Sequence, residues 1–345
     1  MADVNRMIDA AYPDAADPTE AQTARARHRL RNAAVDPRPR MRVPRIRTIA
    51  VTGAAAALLG GAGLVRLVSP GDATMTANAA VARALEPAAV AAAGSGAIGP
   101  VPAGKFLYVH TRAMNMATSV GGGGDVRYLF ADDRQVWLAP DGAGLLRTSS
   151  RPVRFVSGSR DAYRAALAQP RGAENVRLGA CGDCPEGTPS TTAASFAAAG
   201  VGDDVLAAHA DDPEGLAGLL RVGAGKYGGQ PTEDEMFTMV GDGLRESLLS
   251  PAARTALFRV AAYVPGVESL GTRTDSTGRR GVAIARVDSK GLRTVLIFDP
   301  ATSQVLEEQS IAVDPPPDLD IPAGTVTGRS TLLRVGIADA EGVRP

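Results

Sequence analysis

Eighteen consecutive residues without a charge, Thr48 to Val65, stand between five closely spaced arginines and the bulk of the chain. The run TIAVTGAAAALLGGAGLV holds six Val, Ile or Leu, six Ala, four Gly and two Thr. As a helix it would be about 27 Å long, just short of the ~30 Å hydrocarbon thickness, and guanidinium groups at both ends can snorkel across the difference. A helix buried in a soluble core shows a polar face every three to four residues, and no such face recurs here. Gly60, Gly61 and Gly63 would each cost about 1 kcal/mol in a water-soluble helix, whereas glycine is common in membrane helices. Residues 46–68 are therefore expected to span a membrane once, between Arg45 and Arg47 on one side and Arg66 on the other.

Ala77-Asn78-Ala79 offers a signal-peptidase-like site, so a cleaved export signal stays open as an alternative. The 47-residue start and the length of the apolar run favour an uncleaved signal-anchor. Arg38, Arg40, Arg42, Arg45 and Arg47 against Arg66 alone predict a cytoplasmic N-terminus and an extracytoplasmic C-terminal part. Gly53, Ala57 and Gly61 lie four apart, a small-residue row that would let two such helices approach as a weak homodimer.

Formal net charge is zero, but residues 1–47 hold ten Arg against six Asp or Glu, and residues 67–345 hold 26 Lys or Arg against 31 Asp or Glu. A mildly acidic outer part with 4% aromatics has neither the basic stripe nor the stacking platform of a nucleic-acid binder, so no direct nucleic-acid contact is expected. Residues 1–45 form a basic tail. Pro13 and Pro18 interrupt it, and Thr19 to Ala34 reads as one short helix too poor in large aliphatic residues to be stable alone. The tail either lies on anionic lipid and sets topology or folds on a cytoplasmic protein. Its single histidine, His28, and lack of cysteine leave no zinc motif.

Residues 69–102 are rich in Ala, Gly and Pro and read as a stalk, with a helix from Thr76 or Asn78 to Ala93 carrying Val81, Leu85 and Val90 on one side. Residues 103–345 read as an extracytoplasmic α+β domain. KFLYVHTRAM, VRYLFA, RQVWLA and GLLRTS alternate as strands, with turns expected at ADD and PDGAG. Residues 158–230 have little pattern beyond a helical turn at RDAYRAALAQ and one or two short helices. Thr232 with Glu235 suggests a capping box, and Phe237, Val240, Leu244 and Leu248 recur at helical spacing. Pro251 opens a second helix in which Leu257 and Val260 repeat the face. Further strands follow, with hairpin turns at STGRRG, SKG and DPATSQ. The expected architecture is a curled antiparallel sheet with a helical pair packed across it.

The stretch LLSPAARTALFRVAAYVPGVESLGTRTDSTGRRGVAIARVDSKGLRTVLIFDPATSQVLEEQ, with VPAGKFLYVHTR and the Arg-flanked span, resembles an actinobacterial family of single-pass membrane proteins of unknown function. Members are often encoded near extracytoplasmic-function sigma factors. The most specific pieces are VPGV, DSTGRRGVAIA and IFDPATSQVL, none a catalytic motif. The resemblance implies an outer domain similar to the half-open barrels of lipoprotein carriers and of periplasmic sigma-regulating sensors. That is an analogy of fold, and function has to be argued from a site.

Cys181 and Cys184 are the only cysteines. Outside the cytoplasm a local disulfide is the first expectation; free or redox-active thiols, or a metal completed by His110 or His209, are the alternatives. His209 beside Asp211 and Asp212 reads as a solvated face, and Trp137 as core. The four glycines before Asp125 read as a hairpin loop, and the chain lacks the serine-hydrolase, zincin and phosphate-loop signatures. No enzyme activity, metal or cofactor is expected. Two functions remain: a membrane-anchored, anti-sigma-like sensor or regulator whose residues 1–45 touch a sigma factor or another cytoplasmic protein, or an envelope module holding a lipid or apolar peptide against its curved sheet.

Overall fold

A computed structural model describes residues 75–94, 100–119, 125–168, 173–179, 196, 199–227, 232–245, 248–315 and 321–345. The tail, the expected span with Arg45, Arg47 and Arg66, the row Gly53, Ala57 and Gly61, residues 120–124, and Cys181 with Cys184 lie outside the described residues. No helix among the described residues is long and apolar enough to cross a membrane.

The fold is α+β. In chain order the elements are α1 (Ala79–Ala93), β1 (Phe106–Ser119), β2 (Val126–Leu138), β3 (Gly144–Gly158), α2 (Arg160–Ala168) and β4 (Glu174–Leu178). Then come α3 (Asp203–Ala208), α4 (Pro213–Tyr227), α5 (Thr232–Arg245), α6 (Pro251–Val260), β5 (Glu268–Thr274), β6 (Arg280–Val287), β7 (Leu292–Phe298), β8 (Val305–Ala312) and β9 (Thr325–Ala338). The strands form one open, nine-stranded sheet in the order β4-β3-β2-β1-β9-β8-β7-β6-β5, antiparallel at every pairing.

Helices cover one face of the sheet. Ile284, Leu296, Phe298 and Val305 point into a core shared with α1, α3, α4, α5 and α6, while their strand neighbours Ala283, Ala285 and Ile297 point to the other face, as period-two strands require. Phe258 and Phe298 meet edge-on at 5.1 Å between ring centres. The expected pair, α5 and α6, is thus part of a wider helical layer.

Local chemistry fixes the helix ends. Asn78 caps α1, its Oδ1 accepting from Ala80 N and Val81 N, and its Nδ2 donates to Val267 O at 2.9 Å. Thr255 Oγ1 donates to Ala89 O, so α1 is fastened to α6 as well. The buried stripe of α1 is Val81, Leu85, Ala88, Ala89 and Ala92; Val90 is 60% exposed. Nine residues after Val81 is half a turn out of phase at 100° per residue, which corrects the expected face. Ser250 caps α6 and Pro251 opens it. Thr232 lies inside α5 rather than capping it, and α5 ends at Arg245, before Leu248. Asp234 in its first turn is buried and pairs with Arg286 while accepting from Ser289 N and Oγ.

Four hairpin turns share one device, an aspartate whose Oδ1 accepts from the backbone N–H two residues on: Asp141 from Ala143, Asp275 from Thr277, Asp288 from Lys290 and Asp299 from Ala301. The expected turn at ADD does not form. Asp132 and Asp133 lie in mid-strand, opposite Ala113 and Arg112 on one side and Ser150 and Ser149 on the other, so VRYLFA and RQVWLA are one strand. Two donors make this tolerable: Ser150 Oγ on the neighbouring strand donates to Asp132, and Gln135 Nε2, two residues on along β2, donates to Asp133.

The sheet behaves as two leaves. β9 pairs with β8 from Thr325 to Thr331, then runs on to Ala338 beside β1 alone. Arg279, in the β5–β6 turn, bridges the leaves: its Nη2 donates to Leu332 O at 2.7 Å and Leu306 O at 3.2 Å, where the ladders are interrupted. Asp275 aims it, accepting from Arg279 Nε at 2.6 Å. Burial raises the Asp275 carboxyl pKa, but hydrogen bonds from Arg279 N, Thr277 Oγ1, the Arg279 side chain and Thr277 N outweigh that and hold it below the usual carboxylate range. Ser276 donates from N and Oγ to the fully buried Glu307, which also accepts from Thr331 Oγ1 on β9 at 2.8 Å, a second tie between the leaves. The open edges are β4, which is five residues long and carries Glu174 and Arg177, and β5, which is bulged before Gly271.

Candidate functional site

On the helix-covered face, β1 presents Leu107, Val109, Thr111, Ala113 and Asn115 in register, and the chemistry changes half-way along it. Around Leu107 and Val109 lies a slot of about 70 Å³, more apolar than polar, closed by Leu244, Leu248, Leu332 and Val335 and lined also by Arg254, Thr302 and Gln304. Around Ala113 and Asn115 lies a polar trough of about 370 Å³, with Gly328, Ser310 and Ser330 as a low floor. Arg245, in the last turn of α5, borders both.

Mixed charge lines the trough. On the β2 side stand Asp132 and Arg134; on the β8 side Glu308 pairs with Arg245 at 2.8 Å, and Arg245 also pairs with Asp242. Burial holds the Asp132 carboxyl above its ordinary pKa, partly offset by hydrogen bonds from Ser150 and Asn115 and by the charge of Arg134. Burial does the same to Glu308; Arg245 lowers it and Asp242 raises it further. Two desolvated carboxylates with hydroxyl, amide and guanidinium groups between them can exchange hydrogen bonds with a ligand that has donors, acceptors and both signs of charge. At the slot end, Arg254 donates to Leu244 O at 3.3 Å and Ser303 O at 2.9 Å, and burial pushes its pKa down to about 10.

No protein-family model matches the chain, and no curated protein does.

The residues singled out from the sequence fall in different places. Phe237, Val240 and Leu244 on α5, and Leu257 and Val260 on α6, are buried together in the main core. Leu248 is not on that face; it lies past the end of α5, half-buried against Leu107 and Val109, and lines the slot. His209 Nδ1 lies 2.8 Å from Val205 O at the end of α3, Asp211 pairs with Arg259, and Asp212 accepts from Gly215 N at the start of α4. No group of three His, Cys, Asp or Glu among the described residues is placed to hold a metal ion. Trp137 is fully buried on the opposite face, 5.2 Å from the Tyr108 ring, with Nε1 donating to Val343 O at 2.6 Å. His110 pairs there with Asp133 at 2.9 Å. Asp132, Arg134, Asp242, Arg245 and Glu308 carry the trough, and no spacing or pattern in the sequence marks them as a set.

Proposed function

We propose that this is a single-pass membrane protein of the actinobacterial type named above, whose outer domain senses a ligand in the groove and reports it to a sigma factor or another cytoplasmic protein held by residues 1–45. The observation that carries this reading is the continuity of packing from the groove toward the expected span. α5 borders the groove through Asp242 and Arg245, its body shares a core with α6, and α6 fastens α1 through Thr255. α1 begins at Ala79, 14 positions after the uncharged run ends at Val65, and Asn78 ties that end to Val267 O and Ala262 O. A ligand that shifts α5 thus has a packed route to the segment leaving the membrane, and coupling of this kind needs an element that both ends bias. The open sheet supports likening the domain to the half-open barrels of periplasmic sensors.

The alternative, a carrier of lipid or apolar peptide, draws less support. The apolar slot of about 70 Å³ holds a few waters' worth of volume, and the larger space is polar. The reading is tested by expressing the full chain and a version lacking residues 1–45 in a host with its own sigma factors. A sigma factor should co-purify with the first and be lost from the second. Protease added to intact cells should digest the outer domain; its survival would refute the topology, and equal capture by both versions would refute the role of the tail.

A further inference from the structure

We infer that the groove binds a short extended peptide lying along β1, with one aliphatic side chain in the slot and its polar, charged remainder in the trough. This rests on reading the groove as a ligand site. Three observations select that chemistry. First, the slot at Leu107, Val109 and Val335 is about 70 Å³, which suits a single aliphatic side chain and is too small for an acyl chain. Second, the trough offers both donors and acceptors, from Asn115, Ser310 and Ser330, between walls that each carry both signs of charge. Peptide units present one N–H and one C=O each, and free or charged ends match Arg134 and Glu308 with Arg245. A polyanion would meet Asp132, Asp242 and Glu308, and a polycation would meet Arg134 and Arg245, so neither fits a trough of mixed sign. Third, Leu107 to Asn115 on one strand face spans about 26 Å, the reach of roughly seven extended residues.

The test uses the full-length chain in lipid nanodiscs, incubated with two pools of synthetic octapeptides, one with a fixed terminal leucine and one with serine in its place. Retained peptides are counted by mass spectrometry, with lysophosphatidylcholine, spermidine and maltohexaose as competitors. The leucine pool should be retained roughly tenfold or more over the serine pool, the discrimination expected for burying one aliphatic side chain. Val335→Phe, which fills the slot, should abolish that preference. Ala113→Leu, at a half-buried floor position, should lower retention of both pools about tenfold, with the Trp137 emission unchanged to show that the sheet is intact. Equal retention of the two pools, retention of neither, insensitivity to both substitutions, or displacement by any competitor at concentrations below the peptide's would overturn the inference. Sigma-factor capture by the tail is read separately, so a failed peptide screen with intact capture removes the ligand class and leaves the regulator reading standing.

Discussion

Removing the Arg279 side chain tests whether one guanidinium holds the two leaves of the sheet together. Arg279→Ala deprives Leu332 O and Leu306 O of their donor and leaves the buried Asp275 without its counter-charge. A hydrogen bond from a charged group contributes about 1.5–3 kcal/mol. Two such bonds to carbonyls at interrupted ladders give roughly 3–6 kcal/mol, and the uncompensated carboxylate adds to that. The Arg279 side chain is 37% exposed, so entering water should bring the cost to the lower end, about 3 kcal/mol. Against a total stability on the order of 5–15 kcal/mol that is large, and it corresponds to a fall in Tm of about 6–12 °C. Arg279→Lys should cost about half as much, since a point-like ammonium cannot fork to both carbonyls and Asp275. Arg280→Ala, at the exposed next position, is the control and should stay within about 0.5 kcal/mol. Thermal and urea unfolding of the full chain, followed by far-UV circular dichroism and by emission of its single tryptophan, Trp137, gives the numbers. A loss below about 1 kcal/mol for Arg279→Ala would mean that water satisfies both carbonyls and that the β8–β9 ladder and the Glu307 contacts hold the leaves together without it.

Two glycines two residues apart in α5 should respond with opposite signs: a Cβ at Gly243 would lie 2.6 Å from Leu257 Cδ1, so Gly243→Ala should cost about 1–3 kcal/mol, while at Gly241 the nearest atom is 3.4 Å away and Gly241→Ala should gain about 0.5–1 kcal/mol in urea unfolding. Ser303 has φ 58° and a buried hydroxyl with no hydrogen-bond partner among the described residues, so Ser303→Gly should raise stability by about 1 kcal/mol, seen as a Tm increase of a few degrees. On acidification two trends should separate. The Asp234 and Asp275 pKa values are lowered on folding, in both cases because hydrogen bonds outweigh burial, so their stabilisation is full above the ordinary carboxylate pKa near ~4 and is lost as pH falls through their lower folded values. Those of Asp132 and Glu308 are raised by burial, so their penalty applies at neutral pH and is relieved as pH falls through their raised values. Tm measured from pH 7 to 2 should therefore hold or rise before it drops, and Glu308→Gln should flatten the upper part; a steady fall from pH 7 would refute the assignment.

Where local chemistry decides, the sequence is readable: Pro251 starts a helix, aspartates make the hairpins, and alternation along KFLYVHTRAM places Tyr108 and Leu107 on opposite faces as found. Where distant partners decide, it is not. Asp132 and Asp133 look like a turn until β1 and β3 stand on either side of them, with Ser150 Oγ donating to Asp132. The Gly- and Ala-rich stretch 201–223 does yield its short helices, found as α3 and α4, but nothing in it foretells the shared core into which they pack. The groove is less legible still. Its floor takes small residues from β1, β8 and β9 and its walls take charges from β2, β8 and α5, a set with no spacing in common.

The two unpaired margins of the sheet bear on how copies of this chain coexist. A free strand invites a neighbour to add to it, and tethering to any surface raises the local concentration at which this happens. Here one margin is only five residues long and carries opposite charges at Glu174 and Arg177, and the other is kinked at Gly271 and charged at Glu268 and Arg273. Crowded copies should therefore slide past one another instead of zipping into ribbons, leaving each groove free to fill independently.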